Sequence, residues 1–184
     1  QTLVLCPTRE LADQVTQEIR RLARSEDNIK ILTLCGGSTL RPQRDSLEHG
    51  AHIVVGTPGR IMDHLERGSL NLEALNTLVL DEADRMLDMG FIPDVTRIIN
   101  LLPVQRQSLL FSATFSEEIK RLADKMLHAP VLVEVARRNT VSETITHRVH
   151  PVAAEAKRAL LTKLLKSSEF NQVLVFTRTK IETN

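Results

Sequence analysis

The sequence predicts an α/β fold, in which a parallel sheet carries helices on both faces. Short runs of Val, Ile and Leu recur along the chain, with apolar residues at consecutive positions, as in strands that are buried on both sides. Segments with apolar residues three or four positions apart separate these runs and are typical of amphipathic helices. Strands that alternate with helices in this way indicate a parallel sheet.

Six strands are predicted before the pattern changes, over residues 3–6, 31–35, 53–55, 78–80, 108–111 and 131–135. Three helical segments each carry apolar residues on one face: Leu11, Val15, Ile19 and Leu22 in the first, Phe91, Val95, Ile98, Ile99 and Leu102 in the second, and Ile119, Leu122, Met126 and Leu127 in the third. A further helix is predicted from Thr57 to about Arg67.

The polar stretch 137–143 breaks this periodicity and is predicted to link two domains. Residues 1–136 would form the first domain. A strand over 145–152, a helix over 156–165 and a strand over 173–176 predict the beginning of a second domain, 144–184, because three elements cannot bury a core of their own. The chain opens at Gln1 inside an apolar strand without an initiating Met, so we expect a fragment.

Composition excludes several classes of protein. The net charge of the 184 residues is only +1, so binding of nucleic acid would depend on locally placed cations and amides. The absence of Trp and Tyr argues against recognition by base stacking. No apolar run approaches the roughly 20 residues that span a bilayer, and no leader is present, which favours a cytoplasmic protein without a membrane partner. Cys6, Cys35 and the six histidines form no metal-binding pattern, and the two thiols are expected to be buried and reduced.

The clearest functional signal is a cluster of acids at the end of the predicted strand 78–80. Asp81, Glu82 and Asp84 follow that strand, and ligands of open parallel sheets bind beyond the carboxyl ends of the strands. An Asp there can hold Mg²⁺ through water, and a neighbouring carboxylate can activate a water molecule. Acids are also favoured at a helix N-terminus by the helix dipole, which is the plain structural interpretation.

Polar residues follow four other predicted strands: Thr8 and Arg9, Gly36 and Gly37, Thr57 and Arg60, and Ser112 and Thr114. Structural roles are available to all of them. Thr8 and Thr57 can cap helices, paired glycines suit a turn with positive φ, and Thr114 has capping-box spacing to Glu117. Helix N-termini and bare backbone amides also bind phosphate groups, so both interpretations stay open at these positions.

In chain order, five motifs together resemble those of the DEAD-box RNA helicases: Pro7-Thr8-Arg9-Glu10-Leu11-Ala12, Gly36-Gly37, Thr57-Pro58-Gly59-Arg60, Asp81-Glu82-Ala83-Asp84 and Ser112-Ala113-Thr114. The resemblance covers essentially the whole chain. Up to about Phe91 the chain resembles bacterial DbpA-type helicases, and from Ile92 onward, notably over 135–140, it resembles the RhlE type. The resemblance implies a RecA-like domain over 1–136 and the start of a second RecA-like domain.

The resemblance also implies roles for the motif residues. Asp81 would hold Mg²⁺ through water, Glu82 would act as the base, and Asp84 would connect the acids to Ser112 and Thr114, which couple ATP to RNA. The RNA backbone would be contacted by Thr8, Arg9, Gly36, Gly37, Thr57 and Arg60. The implied cofactors are ATP and Mg²⁺, and the implied partner is RNA, bound by a monomer. No ribonucleoprotein or ribosome-assembly partner is indicated.

Other family motifs do not occur in these residues. The phosphate loop G-x-x-x-x-G-K-[ST] would lie before Gln1, and the catalytic arginines of the second domain would lie beyond Asn184. We expect the parent protein to be an ATP-dependent RNA helicase, and the 184 residues alone to hydrolyse little ATP. The segment 173–180 resembles a motif of the second domain, where Arg178, Thr179 and Lys180 would contact RNA or simply be solvated. A non-enzymatic RNA-binding or clamp module and a related DNA helicase stay open as alternatives.

Overall fold

The structure is a computed structural model that describes residues 1–134, 146–167 and 171–177. Contacts along the chain divide it into two compact units, Gln1–Arg138 and Asn139–Asn184. The division falls within the predicted linker 137–143, whose own residues lie outside the described ranges, as do Arg178, Thr179 and Lys180. The domain boundaries stay a prediction.

The first unit is built on a five-stranded parallel sheet, which confirms the predicted fold class. Its strands are β1 (Thr2–Leu5), β2 (Ile31–Leu34), β3 (Ile53–Gly56), β4 (Thr77–Leu80) and β5 (Gln107–Leu110). Each lies within one residue of its predicted bounds. The spatial order is β2-β3-β1-β4-β5, so the first strand of the chain occupies the centre of the sheet.

Helices connect the strands of this unit and pack on the sheet. They are α1 (Arg9–Leu22), α2 (Leu40–Leu47), α3 (Pro58–Glu66), α4 (Ala83–Asp88), α5 (Ile92–Leu101) and α6 (Glu117–Met126), and a 3-10 turn (Ala23–Ser25) follows α1. In the second unit the structure describes a 3-10 turn (Ala154–Ala156) that leads into α7 (Lys157–Ser167).

The sheet separates two apolar cores because successive side chains of a strand point to opposite faces. Leu3 and Leu5 of β1 belong to the larger core, together with residues of α3, α5 and α6. Val4, between them in sequence, belongs to the smaller core with residues of α1. The predicted helical faces of α5 and α6 are buried as expected, since Val95, Ile98, Ile119 and other members of these stripes are inaccessible to solvent.

Three positions predicted to be buried are exposed. Strand β5 lies at the edge of the sheet, and Leu109 and Phe111 in and after it are 37% and 54% exposed, so this strand is buried on one face only. Leu22 was predicted on the apolar face of α1, but it is 76% exposed because it stands in the last turn of the helix, beyond the sheet-covering residues Ala12 and Thr16.

Three predicted strands do not form in the residues that the structure describes. These are the described parts of 131–135, 145–152 and 173–176, while residues 135 and 145 are outside the described ranges. Backbone amides of an isolated strand have no ladder partner, and two neighbouring strands are marginal without a packed face. Val131, Val149 and Phe176 are accordingly 88–89% exposed. The helix predicted over 156–165 is confirmed as α7.

Candidate functional site

The five motif segments meet at one rim of the sheet. Parallel pairing places Leu5, Leu34, Gly56, Leu80 and Leu110, the last residues of the five strands, side by side. Because the order is β2-β3-β1-β4-β5, the segments that follow β2, β3 and β1 are neighbours, and those that follow β4 and β5 lie on the other side. The rim therefore has a glycine, threonine and arginine half and an acidic half.

The acidic half begins with a strained residue. Glu82 has φ 51° and ψ 53°, which is the left-handed region, sparsely populated by residues other than glycine. Its amide donates to Oδ1 of Asp81 over 3.0 Å, and the next amide, of Ala83, donates to the carbonyl of Phe111 over 3.0 Å. These bonds hold the turn between β4 and α4 in a conformation that costs free energy. Such strain is concentrated at functional sites.

The carboxylate of Glu82 has an unused acceptor. Among the described residues, its Oε2 atom is buried without a hydrogen-bond donor, although Nη1 of Arg85 lies 3.5 Å away, within ion-pair range. A buried acceptor without a donor is costly unless a ligand or water supplies one. No group of three or more His, Cys, Asp or Glu within the described ranges has the geometry of a direct metal cage. The unused oxygen of Glu82 can accept a hydrogen bond from a water molecule, including one in the hydration shell of an ion such as Mg²⁺.

Asp84 bridges the acidic half to the strand beside it. Its Oδ2 atom accepts from the amide of Thr114 over 2.9 Å and from the hydroxyl of Thr114 over 3.0 Å, and Ser112 donates its own hydroxyl to the carbonyl of Thr114 over 2.7 Å. Burial raises the pKa of Asp84, but the hydrogen bonds from the hydroxyl and amide of Thr114 and from the amide of Arg85 outweigh it and hold the pKa below its usual value. The carboxylate is thereby kept charged.

The alternative role of Thr114 as a helix cap is wrong. Helix α6 begins at Glu117, and its N-cap is Ser116, whose hydroxyl accepts from the amide of Ile119 over 3.3 Å. Thr114 lies two residues earlier and uses both its amide and its hydroxyl on Asp84. Its polar groups serve the contact between the acid cluster and the segment after β5.

In the other half of the rim, Thr8 has a structural role, whereas Arg9 is exposed to solvent. Thr8 caps α1, since its hydroxyl accepts from the amide of Leu11 over 3.2 Å. Arg9 is exposed, and its guanidinium lies against Gly37, where an added Cβ would overlap Nη2 of Arg9. Gly37 has φ 82°, as a paired-glycine turn requires, whereas the position of Gly36 is open to a Cβ. The guanidinium of Arg9, at the start of α1, thus lies beside the loop after β2.

Helix α3 presents its N-terminus at the same half of the rim. Thr57 is the N-cap residue and Pro58 stands in the first turn, as predicted. Among the described residues, the Thr57 hydroxyl makes no capping bond, so the first-turn amides of Gly59 and Arg60 keep their unfilled donor capacity. Amides of this kind, with the positive end of the helix dipole, favour a bound anion.

Arg60 is bound inside the protein. Its side chain is only 9% exposed. Nη1 donates to Oε1 of Gln43 over 3.0 Å, Nη2 donates to the carbonyl of Ser38 over 2.9 Å, and Asp63 lies 3.6 Å from Nε. Two N–H groups of the guanidinium predicted to contact RNA are therefore already engaged, while Nε is buried without a hydrogen-bond partner among the described residues.

Sequence reasoning gave no role to Gln43 and only a packing or surface role to His64. Both are members of one polar cluster: His64 is completely buried, and its Nε2 lies 3.0 Å from Oε1 of Gln43. The one signal in the sequence is the spacing of Gln43 and Leu47, four residues apart on one face of α2, which places a polar side chain on the buried stripe of that helix.

The two thiols lie at the ends of strands beneath the rim. Cys6 and Cys35 are both buried and free, which confirms the expectation from sequence. Burial, together with the negative charges of Asp81 and Glu82, raises the pKa of Cys6 to about 12. Burial also raises the pKa of Cys35, although hydrogen bonds from Thr57 act in the opposite direction. A thiol with a raised pKa is a poor nucleophile, so both act as small apolar side chains.

Comparison with known proteins identifies the family of this chain. The family model described as DEAD/DEAH box helicase matches residues 1–122. The chain belongs to the DEAD/DEAH box helicase family. All five motif segments fall within the matched residues, and the resemblance found in the sequence is confirmed.

Relatives extend the likeness along nearly the whole chain. "ATP-dependent RNA helicase DbpA" of Escherichia coli strain K12 is 49% identical over 180 residues, which are 98% of this chain and 39% of the relative. "DEAD-box ATP-dependent RNA helicase CshA" of Geobacillus kaustophilus is 42% identical over 98% of this chain and 38% of the relative. The chain thus spans about two fifths of the length of these curated relatives.

Solved structures match the same fold. A DEAD box protein from Methanococcus jannaschii superposes with a TM-score of 0.67 at 49% identity, over 70% of this chain and 35% of that one. The yeast DEAD-box splicing factor Prp28 superposes with a TM-score of 0.65 at 38% identity, over 69% of this chain and 30% of that one. The parallel sheet with its helices is therefore RecA-like, as the resemblance implied.

Proposed function

We propose that this chain is the part of an ATP-dependent RNA helicase that positions the hydrolytic water and grips the RNA backbone. One observation carries the proposal: five motif segments from five parallel strands converge on one rim, and Asp84 joins the two segments of the acidic half. The names of the relatives support ATP and RNA as ligands. We further propose the domain division 1–136, 137–143 and 144–184.

In the acidic half, Asp81 and Glu82 would hold a hydrated Mg²⁺, which supplies positive charge against the phosphates of ATP. Glu82 has a buried oxygen without a donor, so this carboxylate can accept a hydrogen bond from a water molecule and orient it. Asp84 stays ionised and fixes the segment after β5 through Thr114. A change at the acids can thereby reach Ser112 and Thr114 directly.

In the other half, backbone donors and cations would meet the sugar-phosphate chain. Gly36 and Gly37 offer amides without a side chain in the way, Thr57 begins a helix with open first-turn amides, and Arg9 supplies an exposed cation beside Gly37. Such contacts hold one strand without reading its bases. A strand held to the shape of this rim cannot keep its duplex geometry, so short duplexes part locally.

We also propose a cytoplasmic monomer that binds RNA and no membrane. In the parts of the chain that the structure describes, no helix is both long enough and apolar enough to cross a bilayer. The buried thiols are free rather than paired, which suits a reducing compartment.

The proposal is tested by Glu82→Gln in a chimera in which this chain replaces the segment of the E. coli relative that aligns with it. The relative supplies the rest of a helicase. Glutamine keeps the size of the side chain but is a far weaker base, so RNA-stimulated ATP hydrolysis should fall by about 100-fold or more. Binding of single-stranded RNA with a non-hydrolysable ATP analogue should persist. Phosphate release and fluorescence anisotropy measure the two quantities.

Glu18→Gln is the matched control, because Glu18 is an exposed acid on α1 that pairs with Arg21. It should leave both quantities unchanged. Undiminished turnover in Glu82→Gln would refute the role of Glu82. A chimera that binds matched DNA and RNA strands equally would instead favour a DNA helicase, and one that binds RNA but never hydrolyses ATP would favour a clamp.

A further inference from the structure

A single amide side chain joins the two phosphate-facing segments of the rim. Gln43, on α2, donates from Nε2 to the carbonyl of Cys35 over 3.1 Å and to the hydroxyl of Ser38 over 3.0 Å. Its Oε1 accepts from Arg60 and from His64, each over 3.0 Å. Two donors and two lone pairs are the full capacity of a glutamine amide, and all four are used. The orientation of the amide is thereby fixed, since turning it over would set Nε2 against the Arg60 donor and Oε1 against the carbonyl of Cys35.

The state of His64 follows from the same accounting. Oε1 of Gln43 can only accept, so Nε2 of His64 carries the proton. Nδ1 lies 2.8 Å from the hydroxyl oxygen of Ser69, which also donates to the carbonyl of His64 over 3.1 Å. Burial, aided by the charge of Arg60, lowers the pKa of His64, which keeps the ring neutral. A neutral ring with its proton on Nε2 donates a hydrogen bond to the side-chain carbonyl of Gln43.

The hydrogen bonds of Gln43 reach both the segment that follows β2 and the segment that follows β3. Cys35 and Ser38 flank Gly36 and Gly37 in the loop after β2, whereas Arg60 and His64 lie on α3, which starts after β3. Arg60 closes the ring by donating directly to the carbonyl of Ser38 over 2.9 Å. The distance between the glycine loop and the N-terminus of α3 is therefore set by side chains and not only by the pairing of β2 with β3.

We propose that Gln43 is a positioning residue for RNA. It holds the glycine loop and the N-terminus of α3 at the spacing that lets both contact successive phosphates of one strand. The inference rests on the proposed function, and it assigns Arg60 to the same frame rather than to direct contact with RNA. Preformed spacing matters because two contacts strengthen binding together only when one strand can reach both without rearrangement.

The test compares Gln43→Met with Gln17→Met in the chimera that carries this chain. Methionine matches the length of glutamine and removes all four hydrogen bonds at position 43, whereas Gln17 is exposed on α1. Gln43→Met should weaken binding of single-stranded RNA about tenfold, the equivalent of one charged hydrogen bond. The KM for RNA in the ATPase assay should rise by a similar factor with little change in kcat. The slope of log Kd against log salt should fall by about 0.7 for each phosphate that the protein no longer neutralises.

Ser69→Ala separates positioning from stability. Ser69 bonds only to His64 within this cluster, at the end far from the glycine loop, so its loss destabilises the cluster without freeing the loop. Thermal unfolding of Ser69→Ala and Gln43→Met measures how much stability each variant loses, so that their RNA affinities can be compared at a known loss of stability. The proposal predicts a weaker RNA complex and a lower salt slope in Gln43→Met alone.

Two results would overturn the inference. The first is a Gln43→Met protein with the RNA affinity and salt slope of Gln17→Met. The second is a loss of affinity in Ser69→Ala equal to that in Gln43→Met at equal loss of stability. Failure of the proposed function looks different, because the unmodified chimera would then fail to bind RNA in the presence of the ATP analogue.

Discussion

At the scale of single residues, the acid cluster shows how one carboxylate can serve as a connector while its neighbour serves as an acceptor. Asp84 receives two hydrogen bonds from Thr114, whereas Oε2 of Glu82 has no donor within the described part of the chain. Two acids that are two positions apart thus differ in what they can still bind. Asp84 accepts three hydrogen bonds from the protein, whereas one oxygen of Glu82 can still accept a hydrogen bond from a ligand.

The connector predicts a change in one pKa. Thr114→Val keeps the shape of the side chain and removes the hydroxyl that bonds to Asp84, so the pKa of Asp84 should rise toward its usual value. Ser112→Ala should raise it less, because the hydroxyl of Ser112 donates to the carbonyl of Thr114 and not to Asp84. Carboxyl-carbon NMR titrations of the two variants and the wild type measure the shifts.

The sign for stability follows from the same shift. Because the pKa of Asp84 is lower in the folded state, its carboxylate stabilises the fold above the unfolded pKa, and this contribution is lost as pH falls through the folded pKa. In Thr114→Val the total loss should be smaller and should be complete at a higher pH, because the folded pKa then lies closer to the unfolded one. An unaltered Asp84 titration in that variant would contradict the connection between β4 and β5.

At the scale of elements, the loop after β2 depends on a glycine for two separate reasons. Gly37 has φ 82°, and a Cβ there would also overlap the guanidinium of Arg9. Gly50, just after α2, has a similar φ of 73° but open space around the missing Cβ. Comparison of the two glycines therefore separates the effect of backbone strain, which both positions share, from the effect of the space that Gly37 leaves for the guanidinium of Arg9.

Gly37→Ala and Gly50→Ala should each lower the free energy of unfolding by about 1–2 kcal/mol, the cost of a left-handed residue with a Cβ. Only Gly37→Ala should also weaken RNA binding, because the flexible end of Arg9 must leave its place beside the loop. Urea unfolding and RNA anisotropy measure the two effects. Equal RNA affinity in the two variants would show that the contact between Arg9 and Gly37 has no part in binding.

At the scale of the whole molecule, the order of the strands converts five scattered motifs into two functional halves. The motif after β1 comes first in the sequence, yet it lies in space between the motifs after β3 and β4. The segments proposed to bind the RNA backbone are therefore contiguous, and the acids lie next to them. Strand order also places His64, on α3, completely inside the unit that carries the rim.

Stability of the first unit should depend on pH through His64. Burial and the charges of Arg60 and Arg67 lower its pKa in the folded state, and Asp63 opposes them only in part. Below a pH of about 6.5, the usual pKa of histidine, the unfolded chain binds a proton at His64 more readily than the folded protein does. The free energy of unfolding should therefore decrease as the pH is lowered, by up to about 1.4 kcal/mol per pH unit. Above that pH the contribution should be constant.

Urea unfolding between about pH 7.5 and 5.5 measures the slope, and His64→Asn is the comparison because it removes the titrating group. The variant should be less stable at the higher pH but should lose less stability on acidification. The difference between the two slopes isolates His64 from the other five histidines. Parallel slopes would contradict a buried neutral ring.

The sequence by itself determined where five strands and four of the six helices described in the first unit lie, and which residues stand at the strand ends, because these depend on local patterns of apolar side chains and on turn-forming residues. It gave no bounds for α2 and α4, which are short. It failed at 131–135, 145–152 and 173–176, where β-prone runs have no partner strand among the described residues. Only the tertiary structure decided that Arg60 is engaged by Gln43 and Ser38, and that the first motif lies between the third and the fourth. Strand order and buried polar bonds join residues far apart in the chain, and no local period records such pairings.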